Sequence, residues 1–405
     1  MKNIAIELDF MPQINKIINV KDYNDYFFLQ FIHSWLRDGE NCNITSLDNK
    51  EYKISLFDYW IKKGITSKEF INSFYWNAVS KSPYKVFLPF VKRENNELQL
   101  KYINDKEFTI ELIAPCKEFY LMIQSRYIVP FDDSGTEILC GEYKIIEKKE
   151  KELHLFSPKN NSTIRILVNS NPEVTSEYLN NNKIDISCPS NYSPFVNVKN
   201  DKLIKKKGSL VYYLFSKDEV ITKIIANNRR IINILLREKI GDFIEPLNSF
   251  YENIYDFGEP EDYWEIDYDS IVDNDYVIYY SNYYPNKLLA DICRLVLNKY
   301  GVNVRTYEVP SYYNFMNECS EYNLYMGVMY PLYESSHAVG MNMLGGLSKE
   351  NQMRFSKALV DNNVREMWRL LRKIGGFVPL GKGNFWYYKR DDCAIEIDEY
   401  GKIHF

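Results

Sequence analysis

The sequence is poor in the residues that usually announce chemistry. It has four histidines and seven cysteines in 405 residues. The cysteines (Cys42, Cys116, Cys140, Cys188, Cys293, Cys319, Cys393) are scattered and odd in number, with no Cys-x-x-Cys and no Cys/His pair at metal-ligand spacing. A disulfide framework and a zinc ribbon are therefore excluded, no bound metal is expected, and reduced, buried thiols are. Gly-x-Ser-x-Gly, a Walker loop, Gly-x-Gly-x-x-Gly and His-Glu-x-x-His are all missing. The common signatures of hydrolases, NTPases, dinucleotide enzymes and zinc proteases are thus absent, and no cofactor is expected. No run of eighteen apolar residues exists to insert in a membrane. The N-terminal residues Met1 to Asp9 lead straight into a strand pattern, without a long apolar leader segment or a lipobox cysteine. The expectation is a cytoplasmic protein, or an extracytoplasmic one whose leader has been removed. Clustered positive charge is also scarce, although Lys and Arg number 50 against 55 Asp and Glu. The net charge is −5, and the only dense basic run is Lys205-Lys206-Lys207, read as a solvated loop. A nucleic-acid partner, which needs a clustered basic face, is not expected.

What the chain does have is tyrosine: 34 of them, in a sequence that is 16% aromatic. Tyr pairs an apolar body with a polar tip, and so suits a wet, aromatic groove as well as an ordinary surface. The length predicts two or three domains. The clearest local signal runs from Tyr276 to Val309 and reads as a βαβ unit. Val277 to Tyr280 is a strand. Pro285 stands at or near the first turn of a helix, and Leu288, Leu289, Ile292, Leu295, Val296 and Leu297 recur at helical spacing. Gly301 stops that helix, and Val302, Val304 and Tyr307 begin a second strand. Such a crossover requires parallel strands and places ligands at their carboxyl ends, here Ser281-Asn282 and the segment after Tyr325.

Elsewhere, strands are expected at Asn3–Leu8, Tyr52–Leu56, Leu98–Tyr102, Phe108–Ile113, Gly141–Ile146, Glu152–Phe156, Ile164–Val168, Ile184–Ile186 and Val211–Phe215. Helices are expected at Tyr23–Leu36, Val174–Leu179, Asn228–Ile240, Ser348–Ala358 and Asn363–Lys373, and after Thr66, where Thr66 and Glu69 form a capping box. The acidic segment Glu259–Asp269 reads as a solvated loop, with attraction of a cationic ligand or a metal as the other reading. Strands and helices alternate throughout, which predicts an α/β or α+β protein whose lobes share the chain several times.

The order of these elements resembles the oligopeptide-binding class of solute-binding proteins that serve peptide and nickel ABC transporters (family 5). Asn3–Asp9 followed by the helix from Tyr23 is similar to the family's opening. Tyr52-Lys-Ile-Ser-Leu56 with Ile65-Thr-Ser-Lys-Glu-Phe-Ile-Asn-Ser-Phe74 looks like its "YTFKLR … LTAEDVVYSF" block. Gly141-Glu-Tyr-Lys-Ile-Ile146 stands where the family has "GPYKL", and Tyr178–Ile186 resembles its "L..GEIDI". Asn228–Ile240, Tyr322–Gly327, Phe377–Leu380 and Glu396–Gly401 resemble its later motifs. Each match is weak alone; their shared order over nearly the whole chain is what carries the resemblance.

The resemblance implies a two-lobed fold like that of type II periplasmic binding proteins, with a central cleft and a discontinuous first lobe. Residues 1–45, 136–245 and 378–405 would form lobe 1, 46–135 a sub-domain upon it, and 246–377 lobe 2, with hinges near Gly241–Pro246 and Gly375–Pro379. It would be a leaderless member. Segments that border the cleft in the family bring Asn15, Val20, Asp22, Tyr213, Tyr251, Tyr255, Tyr330, Tyr333, Glu334 and His337 forward as ligand-binding candidates. The Asp with which the family's peptide binders hold an α-amine is replaced here by Pro331, which has neither charge nor N–H. Either Glu334 substitutes from one turn away, or the ligand has no free amino terminus.

The function expected on these grounds is non-catalytic: closure of two lobes over a peptide or a small polar or aromatic molecule, in a monomer. A ligand-sensing regulator or accessory acting through a protein partner is the alternative, and an enzyme evolved on the fold is the third. Ser335, His337 and Glu334 are the only group with a catalytic look, and neighbours this close in sequence rarely orient as a triad.

Overall fold

A computed structural model describes residues 3–12, 23–80, 88–95, 97–198, 202–247, 275–310, 314–315, 318–331, 333–335, 337–371, 375–393, 395–398 and 401–404. The strands are β1 (Asn3–Leu8), β2 (Cys42–Thr45), β3 (Glu51–Leu56), β4 (Arg93–Glu94), β5 (Glu97–Leu98), β6 (Leu100–Asn104), β7 (Glu107–Glu111), β8 (Lys144–Lys149), β9 (Glu152–Ser157), β10 (Ser162–Val168), β11 (Lys202–Ser216), β12 (Ile244–Pro246), β13 (Tyr276–Ser281), β14 (Val304–Val309), β15 (Leu324–Met329), β16 (Phe377–Lys389), β17 (Glu396–Ile397) and β18 (Ile403–His404). They form three main sheets, ordered β1-β10-β9-β8, β2-β3-β7-β6 and β12-β16-β11-β15-β13-β14, together with two small ribbons.

The βαβ unit forms as its pattern requires. β13 and β14 are parallel, joined by the helix Asn286–Lys299 with Pro285 at its N-cap. Gly301 follows with φ +81°, a left-handed conformation that Gly adopts without a Cβ clash. The capping box also forms. The Thr66 N–H and hydroxyl both donate to Glu69 Oε2, at 2.7 and 2.6 Å, and the Thr66 oxygen accepts from the Lys68 N–H.

Three expectations need correction, and one helix went unforeseen. The first helix ends at Ile32, not Leu36. The carbonyls of Phe31 and Ile32 accept instead from the N–H groups of Tyr143 and Gly141, so they cannot continue the helical ladder. Ile186 makes only isolated bridges, to Ile6 and Lys389, rather than a strand. Lys205–Lys207 is no loop but part of β11, because β16 pairs with that stretch: Lys205 opposes Trp386 and Lys206 opposes Phe385. Lys205 lies over the Trp386 ring and Lys206 pairs with Glu396 at 3.0 Å, so aromatic and acidic partners absorb the charges. A helix at Glu219–Asn227 went unforeseen, although Asp218 caps it by accepting from the Val220 N–H at 2.8 Å. The acidic segment Glu259–Asp269 lies outside the described residues.

Two apolar cores form on either side of the long β11–β16 pair. Strand side chains alternate between faces, and the alternation can be followed residue by residue. Val211 and Tyr213 of β11, with Phe377, Phe385 and Tyr387 of β16, face one core. Tyr212 and Leu214, with Val378 and Leu380, face the other. The first core also takes in β1, the sheet around β3, the N-terminal helix and the segment from Ala338 to Leu371. The second is built by helices Glu219–Asn227, Arg229–Lys239 and Asn286–Lys299 against the six-stranded sheet. Burial of apolar area at about 25 cal/mol per Å² drives both cores, and the two long strands form their common wall.

Candidate functional site

β1 buries its apolar side chains Ile4, Ile6 and Leu8 as a half-buried strand should, but it also buries two carboxylates, Glu7 and Asp9. Glu7 is embedded: its carboxylate accepts from Asn169 Nδ2 and Thr175 Oγ1, both at 2.8 Å. Asp9, just past the carboxyl end of β1, is different. Its N–H donates to Asn24 Oδ1 at 3.0 Å, and its Oδ2 accepts from Asn24 Nδ2 at 3.1 Å. This reciprocal pair fixes the carboxyl against the first turn of the Tyr23–Ile32 helix. Burial pushes the Asp9 carboxyl up from the ordinary aspartate range, against the opposing influence of Ser190, Asn24, Tyr283 and Cys188.

Asp9 opens onto a cavity of about 80 Å³ between the two cores. Asn24, Pro189 and Ser190 line it, together with Tyr283, Tyr284 and Asn286, which follow directly from the carboxyl end of β13. Leu210, Tyr212, Phe243, Val328, Asn384 and Phe385 complete the wall. Asn286 is held by its own amide: Nδ2 donates to the carbonyl and the hydroxyl of Ser281, at 3.2 and 2.9 Å. Behind the cavity an aromatic cluster locks the wall. Phe243 stacks on Tyr192 at 5.5 Å between centroids and meets Tyr284 and Trp386 edge-on, at 5.0 and 5.4 Å. Such pairs add about 0.5–1.5 kcal/mol each beyond area burial and hold the rings in register.

The sequence candidates fall elsewhere. Asn15, Val20, Asp22, Tyr251 and Tyr255 lie outside the described residues. Tyr213 is buried in the first core; it packs on Phe377 and lies across Gly327 of β15. Tyr330 is also buried against the Tyr26 ring, 5.7 Å between centroids, with the Arg126 guanidinium beside both, 5.2 and 5.0 Å from the two centroids. Tyr333 and His337 gather round Glu118, and Glu334 is exposed nearby. None of these five lines the cavity.

Glu118 receives the Ser335 hydroxyl at one oxygen, and its other oxygen stands 3.5 Å from His337 Nδ1. Burial alone would raise its pKa; the hydrogen bonds from His337 and Ser335, the His337 charge and Tyr333 outweigh that and leave it below the usual range. The carboxylate thus takes up the serine hydroxyl itself. In a triad that hydroxyl would donate to the imidazole and the carboxylate would orient the ring.

Asp9, Asn24, Ser190, Tyr283 and Asn286 were missed. The usable signal was the same rule that pointed to Ser281-Asn282: a polar residue at the carboxyl end of a strand. Applied to β1, it selects Asp9.

No family model matches the sequence, and no curated protein sequence matches it. Solved structures do match. A dipeptide-binding protein from Pseudoalteromonas sp. SM9913, in complex with Met-Leu, superposes with a TM-score of 0.78 at 11% identity, over 99% of this chain and 98% of that one. A periplasmic oligopeptide-binding protein of an ABC transporter from Borrelia burgdorferi gives 0.77 at 13% identity, over 98% and 97%. NikZ from Campylobacter jejuni, in complex with Ni(L-His), gives 0.74 at 15% identity, over 99% and 96%. At these identities the likeness is one of fold: the chain has the two-lobed α/β fold of the peptide- and nickel-binding proteins of ABC transporters.

Proposed function

We propose that this chain is a non-catalytic binding protein that closes two lobes over a peptide or a small polar or aromatic molecule. The observation that carries this reading is the cavity. It is aromatic-walled, it takes residues from both cores, and it sits at the carboxyl ends of β1 and β13. Concave, largely apolar sites with a few placed polar groups are where small ligands bind. Solved structures of the same fold hold a dipeptide in one case and a nickel–histidine complex in another, which supports the ligand class. The paired strands β11 and β16, as the wall common to both cores, would serve as the hinge. We propose an intracellular location, with which seven scattered, unpaired cysteines agree.

Native mass spectrometry of the protein purified from its own cells, with a denatured control, tests the reading. The expected result is one small molecule or peptide per chain, released on denaturation. Bare protein that arrives with a stoichiometric partner chain would overturn it in favour of a regulator or accessory.

A further inference from the structure

Two buried oxygens of residues that line the cavity make no hydrogen bond of good geometry, Asp9 Oδ1 and Asn286 Oδ1, although Ser190, Tyr283 and Cys188 stand close enough to Asp9 to favour its ionised form. Asp9 is 4% exposed and Asn286 3%. They come from different elements: Asp9 follows β1, whose apolar residues belong to the first core, and Asn286 opens the helix after β13, which belongs to the second. The Asn286 amide cannot turn to hide its oxygen, because the Ser281 carbonyl that now accepts from Nδ2 would then face an oxygen. A buried acceptor left unmet is destabilising, and an unmet carboxylate more so. Such a group in a native structure calls for a reason, and a partner from outside the fold is one. Among the described residues that line the cavity, none is Lys, Arg or His, while Tyr212, Phe243, Tyr283, Tyr284 and Phe385 present aromatic rings. One carboxylate, one bare amide oxygen, no basic residue and several rings together specify a cation that carries N–H donors.

We propose, building on the ligand-binding reading above, that the cleft selects a primary ammonium group, held between the Asp9 carboxylate and the Asn286 carbonyl oxygen and faced by the aromatic wall. The ammonium has three donors. Asp9 Oδ1 and Asn286 Oδ1 take two, and the remaining one is free for a water or the ligand's own polar atoms. The cavity volume fits the charged head with a few carbons, and the rest of the ligand extends from it. The same chemistry is offered by a peptide amino terminus and by a free alkylamine or polyamine.

The test is calorimetric titration of the whole chain and of its Asp9→Asn and Asn286→Ala variants with four probes: a trialanine peptide, its N-acetylated form, butylamine and spermidine. The expected result is binding of at least one amine probe, with N-acetyl-trialanine at least tenfold weaker than trialanine if the peptide is the source. Asp9→Asn should weaken the amine probes at least tenfold, and Asn286→Ala several-fold. Asp9→Asn keeps the shape of the side chain and removes a buried charge, so its melting temperature should not fall. Asn286→Ala gives an independent reading should Asp9→Asn prove unstable. Binding of trialanine alone assigns the amino terminus of a peptide, and binding of butylamine or spermidine alone assigns a free amine. Equal affinity for acetylated and free trialanine, unchanged affinity in Asp9→Asn, or no response to any amine probe overturns the proposal. The broader reading then stands or falls separately, since a co-purified ligand without an amine would preserve it and the absence of any ligand would not.

Discussion

His33 provides a pH test with a calculable size. It follows the N-terminal helix, where its N–H donates to the Leu29 carbonyl at 2.9 Å, and its side chain is fully buried. Neither ring nitrogen has a hydrogen bond, and the Glu137 Oε2 atom lies 3.5 Å from Nε2. An ionised Glu137 would favour the imidazolium, but burial dominates and lowers the imidazole from 6.5 to about 4. The folded pKa is thus below the unfolded one, so between those values the unfolded chain binds more protons and stability rises with pH. The contribution is fully present above 6.5 and is lost as pH falls toward 4. At 1.36 kcal/mol per pKa unit, the descent from pH 7 to pH 4 removes about 3 kcal/mol through this one side chain. Urea unfolding of wild type and His33→Gln at several pH values isolates the effect, because all other titrations are common to both. Wild type should lose about 3 kcal/mol more than the variant over that range. With only four histidines in the sequence, imidazole proton resonances can be followed directly by NMR. Equal losses in the two proteins, or a His33 resonance that titrates near 6.5, would refute the reasoning and mean that Glu137 governs the site.

Three further outcomes are expected. Thr66→Ala removes the hydroxyl that caps the Ser67–Val79 helix and that hydroxyl's bond to Glu69, and should lower stability by about 1 kcal/mol in chemical unfolding. Gly327→Ala puts a methyl 2.4 Å from the Tyr213 ring; overpacking of this kind costs about 1–3 kcal/mol, and the paired change Gly327→Ala with Tyr213→Ala should cost less than the sum of the two single changes. If an ammonium ligand binds at Asp9, its affinity should rise with pH while the carboxyl ionises and then level off, because the raised pKa keeps the empty site protonated further up the scale. Asn24, Ser190, Tyr283 and Cys188 face Asp9, and Cys188 is itself held protonated by burial and by the Asp9 charge, so the slope belongs to Asp9 and should vanish in Asp9→Asn.

Local pattern sufficed where one segment contains its own instructions. The βαβ unit could be read because its apolar periods switch from two to 3.6 and back within thirty-four residues, with Pro285 and Gly301 as punctuation. The Thr66–Glu69 box could be read because both partners lie within one turn. The two-lobed fold could be read because those segments follow a recognisable order along the whole chain.

What the tertiary structure alone decided is which distant residues meet. Lys205–Lys207 carry the charge of a loop, yet β16, almost two hundred residues later, makes them a strand. Phe31 and Ile32 continue a helical period, but Gly141 and Tyr143 claim their carbonyls. Asp9 has the composition of an ordinary surface carboxylate. It becomes a candidate ligand-holding group only because Asn24 pins one of its oxygens and because the chain returns near residues 190 and 283 to bury the other. Periodicity records which face a side chain takes on its own element. A site depends on what stands opposite that face, and non-local packing settles this once the two cores have formed.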